Sequence, residues 1–397
     1  MILAERMQRV KGSEIRSVGK KIAARNSADL IKLSAGIPDE ALFPAEELKA
    51  ATLPLFDEPL LPSLQYGLTK GDTRLIHLIA ERMKQAERME IPEKNILITT
   101  GCQQGISLSS VALLDRGDVV LVEKPTYMDG LNASIPYECR FIGVETDDDG
   151  MVAEALETAQ RTIPRVKMIY VIPNFQNPTG KAWPLKRRRE FMDVVQKFPD
   201  LMVVEDNPYG ELRFRGEFIP SLKSFDTLGQ VIYLGSFSKV LSPGLRVAWV
   251  VAHDDLIEKL EILKEGFDLQ SNQFAQSQVV NYLLQNDLTA HVEKLRAAYK
   301  EKCDTMLREI KRTFPPEAKV IEPDGGMFIW VSLPEYINTS DMLAEALDAG
   351  VSYIPGISFF ADGRGTNGLR LNFTSNSCER IKLGIERLAG VVKKNIR

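Results

Sequence analysis

The chain is poor in the residues that build metal and redox centres. It holds three histidines, His77, His253 and His291, with no spacing that would set two of them on one helix face. Its four cysteines, at positions 102, 139, 303 and 378, are widely scattered and form no Cys-x-x-Cys pair. Such usage gives neither a legible metal site nor a disulfide framework, and free thiols belong to a reducing compartment. No apolar run approaches the roughly 20 residues that span a bilayer. The opening Met1-Ile2-Leu3-Ala4-Glu5-Arg6 lacks the apolar stretch of a secretory signal. A cytoplasmic protein without a metal is the expectation. An excess of positive charge is missing too. Fifty Lys and Arg face 54 Asp and Glu, a net charge of −4 and a pI near 5.7, which gives nucleic acid nothing to hold. The one basic cluster, Lys186-Arg187-Arg188-Arg189, runs on into Glu190, Phe191 and Met192 in a helical pattern, so it reads as a solvated helix face.

What is present is an ordinary globular balance, 44% hydrophobic and 26% charged, in a chain long enough for two domains. From Asn95 to Ala252, strand-like runs alternate with helical patterns. The runs are Ile96–Thr99, Val119–Val122, Met168–Val171, Met202–Val204, Ile232–Leu234 and Val247–Val250. Alternation of this kind predicts a mostly parallel sheet covered by helices. From Asp254 to about Thr313 the pattern is helical. Shorter strands and helices follow, among them Met327–Val331, and predict a smaller C-terminal domain.

Four clusters lie where predicted strands run out into loops, the edge at which open α/β sheets bind ligands. Lys239 stands in Gly235-Ser236-Phe237-Ser238-Lys239, just before Pro243-Gly244-Leu245-Arg246. A lysine among small hydroxyls with an arginine nearby fits an amine that bonds covalently to an aldehyde cofactor. The hydroxyls and the guanidinium would hold that cofactor's phosphate. Ser-x-x-Lys also serves serine hydrolases, and a lysine taken singly is most often solvated surface. The other clusters are Asn177-Pro178-Thr179-Gly180, Glu205-Asp206-Asn207-Pro208-Tyr209 and Gly368-Leu369-Arg370-Leu371-Asn372. Singly they read as a turn, a helix N-cap and a solvated strand arginine. Upstream, Gly101-Cys102-Gln103-Gln104 leaves the first strand and opens a helical run. A glycine turn feeding a helix N-terminus offers free N–H groups and a positive dipole end to a phosphate.

Together and in this order, these clusters resemble the fold-type-I pyridoxal 5′-phosphate enzymes, specifically the class I/II aminotransferases. The resemblance is closest to the 2-aminoadipate and kynurenine aminotransferases, and runs from about Leu33 to Leu388. It rests on Gly-Ser-Phe-Ser-Lys-x-Leu-x-Pro-Gly-Leu-Arg (235–246) and Gly-x-Gln-Gln (101–104), with Pro-x-Phe-Gln-Asn-Pro-Thr-Gly (173–180) and Gly-Gly-Met-Phe-x-Trp (325–330). The family often has serine or alanine where Cys102 stands.

The resemblance implies a mostly parallel central sheet flanked by helices, plus a smaller α+β domain. The large cofactor domain would span 46–290 and the small one 291–397, with 1–45 packing against the latter. It implies pyridoxal phosphate on Lys239, transfer of an amino group from an L-amino acid to a 2-oxo acid such as 2-oxoglutarate, and a homodimer with shared sites. Gly101, Cys102, Gln103, Ser236, Ser238 and Arg246 would hold the phosphate. Asp206 would hold the ring nitrogen protonated, Asn177 and Tyr209 would bind the ring's phenolic oxygen, and Tyr127 would stack on the ring. Lys239 would then shuttle the substrate proton. Arg370 would fork the substrate carboxylate beside Asn177 and the Gly36 backbone. Tyr66 would reach the partner subunit's phosphate. The segment Ser13–Ile22, apolar at 15, 18 and 22, would be a helix closing over the site, with Arg16 meeting a side-chain carboxylate. Two rival functions share this fold: another pyridoxal phosphate reaction, such as a carbon–sulfur β-lyase or a decarboxylase, and regulators that carry a winged-helix DNA-binding domain upstream. The regulator reading is expected to fail, since no basic domain precedes residue 10 and the pI is acidic.

Overall fold

The computed structural model describes residues 3–8, 12, 14–25, 29–57 and 62–396. Its centre is a seven-stranded sheet. The strands are β1 (Ile96–Thr99), β2 (Val119–Glu123), β3 (Arg140–Val144), β4 (Val166–Val171), β5 (Met202–Asp206), β6 (Val231–Ser236) and β7 (Ala248–Val251). Their order is β1-β7-β6-β5-β4-β2-β3. All run parallel except β7, which is antiparallel to both neighbours. The expected mostly parallel sheet is therefore present. β3, glycine-bearing and partly exposed at the edge, is a strand that alternation alone did not single out.

Burial on both faces explains why the central strands read as unbroken apolar runs. Side chains alternate between two packed layers. Val120, Val122, Met168, Tyr170 and Val204 point into one core; Val119, Leu121, Ile169, Val171 and Val203 point into the other. Each Val, Leu or Phe so buried stabilises the fold by about 1.5–3 kcal/mol.

The helices used below are α1 (Glu14–Ala24), α2 (Cys102–Leu113), α3 (Leu185–Val195), α4 (Leu288–Thr313) and α5 (Cys378–Asn395). In α1, Val18 and Ile22 are buried and Ile15 packs on the core, as the helical spacing predicts; Ser13 lies outside the described residues. Asp287 starts α4 by accepting from the Thr289 and Ala290 amides at 2.8 and 3.1 Å, and α4 packs along α5. A second sheet, antiparallel throughout, belongs to the same region. It contains β8 (Lys319–Val320), β9 (Phe328–Ser332), β10 (Ile354–Pro355) and β11 (Gly368–Asn372), in the order β8-β9-β11-β10. Near the N-terminus, Ile31–Lys32 pairs with Val351–Ser352, so the early chain is tied to the C-terminal region. Among the described residues no helix is long and apolar enough to cross a membrane.

The basic cluster departs from expectation. Lys186 and Arg189 are exposed, but Arg187 and Arg188 turn inward on α3. Arg187 grips Asp147 through both terminal nitrogens, at 2.9 and 2.8 Å. Arg188, wholly buried, donates to Asn174 Oδ1 (2.6 Å) and to the carbonyls of Trp183 (3.0 Å) and Pro220 (2.9 Å). Loops around the sheet leave carbonyls with no ladder partner, and a guanidinium has five donors to give them.

Candidate active site

Because β1, β2, β4, β5 and β6 run parallel, their carboxyl ends share one edge. Gly101, Tyr127, Asn177, Asp206 and Lys239 follow or end those strands. Tyr127, Asn177, Asp206 and Lys239 meet there around a cavity of about 350 Å³, which Cys102, Gln103, Tyr209, Ser236, Ser238 and Arg246 also line. Gly36, Arg16 and Arg370 reach the same cavity from the N-terminal segment and β11. Of the fifteen residues expected at the site, thirteen line the cavity; Gly101 lies just behind it against Arg246, and Tyr66 stands apart, 76% exposed.

One end of the cavity is built for an anion. Gly101 holds φ +84 at the start of α2, and a Cβ there would run into the Arg246 guanidinium. The first-turn amides of α2 thus open beside Arg246. Arg246 is fixed by its own left-handed backbone (φ +55) and by donating to the Thr100 carbonyl at 3.2 Å. Ser236 and Ser238 sit opposite, their hydroxyls 2.9 Å apart.

Deeper in, Asp206 is 4% exposed. Its Oδ2 accepts from the Tyr170 hydroxyl at 2.7 Å, while its Oδ1 is buried with no partner. Burial raises its carboxyl to about 6; the Tyr170 hydrogen bond, the nearby Cys102 thiol and the Lys239 charge oppose that rise. Sequence reasoning assigned Cys102 only a backbone part, yet its thiol, which donates to the Gly235 carbonyl at 3.8 Å, lies near enough to Asp206 to act on it. Burial raises that thiol well above the ordinary range.

Lys239 donates through Nζ to the Gly36 carbonyl at 3.2 Å. Burial lowers its amine to about 8, and the nearby Arg370 and Arg246 charges act in the same direction. An amine so placed is largely neutral in mildly alkaline solution and can attack a carbonyl.

Arg370 is a buried cation with no carboxylate in ion-pair reach among the described residues. It donates to Asn177 Oδ1 (2.8 Å) and to the Ser34 carbonyl (2.9 Å), and its Nε has no partner. Its guanidinium lies 4.3 Å from the Phe328 ring centre, and Phe328 in turn meets Tyr209 edge-on at 5.8 Å. Burial lowers Arg370 to about 10, the mark of a charge that lacks a counter-ion. Tyr127 is also pushed up to about 12 by burial, so it stays a neutral ring.

Tyr170, Ser34 and Phe328 went unnoticed as site residues. Only Phe328 carried a signal, inside Gly325–Trp330. Elsewhere, His253, Asp254 and Asp255 gather on the surface within reach of one ion, but Lys94 already holds Asp254 at 2.5 Å.

An aromatic aldehyde phosphate would find its complement here. The Gly101 cradle with Ser236, Ser238 and Arg246 suits the phosphate. The unpaired Asp206 Oδ1 suits a protonated ring nitrogen, and the Lys239 amine suits the aldehyde. The chain matches the family "Aminotransferase class I and II" over residues 28–388 and belongs to that family. It is an aminotransferase of fold type I that uses pyridoxal phosphate. It is 39% identical to an aromatic-amino-acid aminotransferase of Thermococcus litoralis, over 99% of this chain and 94% of that protein. It resembles the crystal structure of a Pyrococcus horikoshii kynurenine aminotransferase, solved with PMP, with a TM-score of 0.94. The two are 36% identical over 100% of this chain and 98% of the other. The α-aminoadipate aminotransferase of Thermus thermophilus, complexed with N-(5′-phosphopyridoxyl)-L-leucine, superposes with a TM-score of 0.90. Identity there is 36%, over 99% of this chain and 97% of that one.

Proposed function

We propose that this aminotransferase moves the α-amino group of an L-amino acid to 2-oxoglutarate through Lys239, Asp206 and Arg370, working as a cytoplasmic homodimer. The observation that carries the residue roles is convergence. A neutralisable amine, an unpaired buried carboxylate oxygen and a buried guanidinium with no carboxylate partner share one cavity. Pyridoxal phosphate supplies the carbonyl that receives the amino group and a ring that draws electron density from the substrate Cα. Gly101, Cys102 and Gln103 amides, with Ser236, Ser238 and Arg246, hold its phosphate. Tyr127 covers the ring, and Asn177 and Tyr209 bind its phenolic oxygen.

Arg370 binds the substrate carboxylate in a fork, with the Gly36 backbone alongside, and so fixes which bond at Cα faces Lys239. Lys239 Nζ, once released from the carbonyl, would take the proton from the substrate Cα and deliver it to the cofactor carbon that keeps the amino group. Asp206 stays charged and so holds a positive ring nitrogen. Arg16 lines the cavity mouth and meets a second carboxylate when the substrate carries one. We divide the chain at 1–45, 46–290 and 291–397. Leu64, Tyr66, Leu68, Phe267 and Leu269 are large apolar side chains left exposed, which supports dimerisation, with Tyr66 offered to the partner's phosphate.

A panel of amino donors assayed against 2-oxoglutarate tests the reading. Glutamate should appear in step with the donor's 2-oxo acid, and sedimentation should give a dimer. Release of ammonia or sulfide without glutamate would instead make the enzyme a lyase.

A further inference from the structure

The central sheet sets a tyrosine against Asp206. In the β4–β5 ladder Tyr170 lies directly opposite Val204. Its side chain therefore leaves the same face as Asp206, two residues further along β5, a diagonal that a long side chain can span. The Tyr170 side chain is wholly buried, and its hydroxyl donates to Asp206 Oδ2 at 2.7 Å. The carboxylate's other oxygen, Oδ1, is buried and unpartnered. A carboxylate on its own turns easily about its last torsion. One oxygen tied to a rigid strand leaves the other aimed in one direction.

We propose that Tyr170 is a positioning residue whose hydroxyl fixes Asp206 so that Oδ1 meets the cofactor's ring nitrogen and the carboxylate stays ionised. This rests on the reading of Asp206 as the ring-nitrogen partner. Burial alone drives Asp206 toward protonation, and a hydrogen bond donated to its charged form opposes that. Burial also raises the Tyr170 phenol well above its ordinary range, so it remains a donor at every working pH.

The test uses Tyr170→Phe, Asp206→Asn and the double variant as holoenzymes loaded with ¹⁵N-labelled pyridoxal phosphate. Thermal melting monitors the fold, and the visible band monitors bound cofactor. Tyr170→Phe should keep the cofactor, lower kcat about tenfold with KM nearly unchanged, and move the ring-nitrogen resonance toward its unprotonated position. Added to Asp206→Asn, it should change neither quantity further, because the partner it acts through is gone. If Asp206→Asn shifts both readouts while Tyr170→Phe shifts neither, the proposal is overturned and the Asp206 role stands. If Asp206→Asn also leaves both unmoved, the Asp206 role falls and takes the proposal with it. A lower melting temperature for Tyr170→Phe with an unmoved resonance would make Tyr170 a packing residue and overturn the proposal as well.

Discussion

Arg370, on β11 of the small sheet, donates through Nη1 to Oδ1 of Asn177, in the loop after β4 of the large sheet, at 2.8 Å. One bond thus joins the group proposed to hold the substrate carboxylate to the group proposed to hold the cofactor ring. The two residues stand 193 positions apart in sequence, and the pair sets the distance between the two ligands.

Arg370→Lys keeps the charge but loses the planar fork and its bond to Asn177. The expected result is a fall of about 100-fold in kcat/KM for every amino donor, since at least one charge-assisted bond to the carboxylate is lost. Steady-state kinetics over several donors checks this. Equal kcat/KM in parent and variant would remove Arg370 from the substrate site.

The lowered Lys239 amine sets a pH dependence. A lysine lowered from 10.5 to about 8 is protonated and unreactive below that point, and neutral above it. The rate at which apoprotein gains its visible band on adding pyridoxal phosphate should fall about tenfold per pH unit below 8 and level off above it. A rate that keeps climbing to pH 10 would show an ordinary exposed lysine.

Arg16 offers a test of substrate choice. It lies on α1 and lines the cavity beside Tyr127 and Asp129. Arg16→Gln should raise KM for glutamate or 2-aminoadipate about tenfold and leave leucine almost unchanged, a selective loss of one contact. Equal changes for both donor types would leave Arg16 without a part in specificity.

Much of the fold was legible because parallel strands buried on both faces must be apolar throughout, as Val119–Glu123 and Val231–Ser236 are. Lys239, Asp206 and Asn177 were legible because each follows or ends such a strand. Tyr170 was not, since its partner depends on the β4–β5 register, which no single strand encodes. Ser34 was hidden for a similar reason: its carbonyl meets Arg370 across 336 residues. Arg187 and Arg188 misled because a charged run is usually solvated, and their loop carbonyls and Asp147 become neighbours only after folding.

The central claim is that Lys239 carries the cofactor and moves the substrate proton. Reducing the holoenzyme with borohydride, digesting it and weighing the peptides tests this most directly. The account predicts that the visible band bleaches and that one peptide, the one containing Lys239, gains the mass of the reduced phosphopyridoxyl group. Lys239→Ala should show no such peptide and should lose nearly all turnover. Label on another lysine, or a fully active Lys239→Ala enzyme, would contradict it.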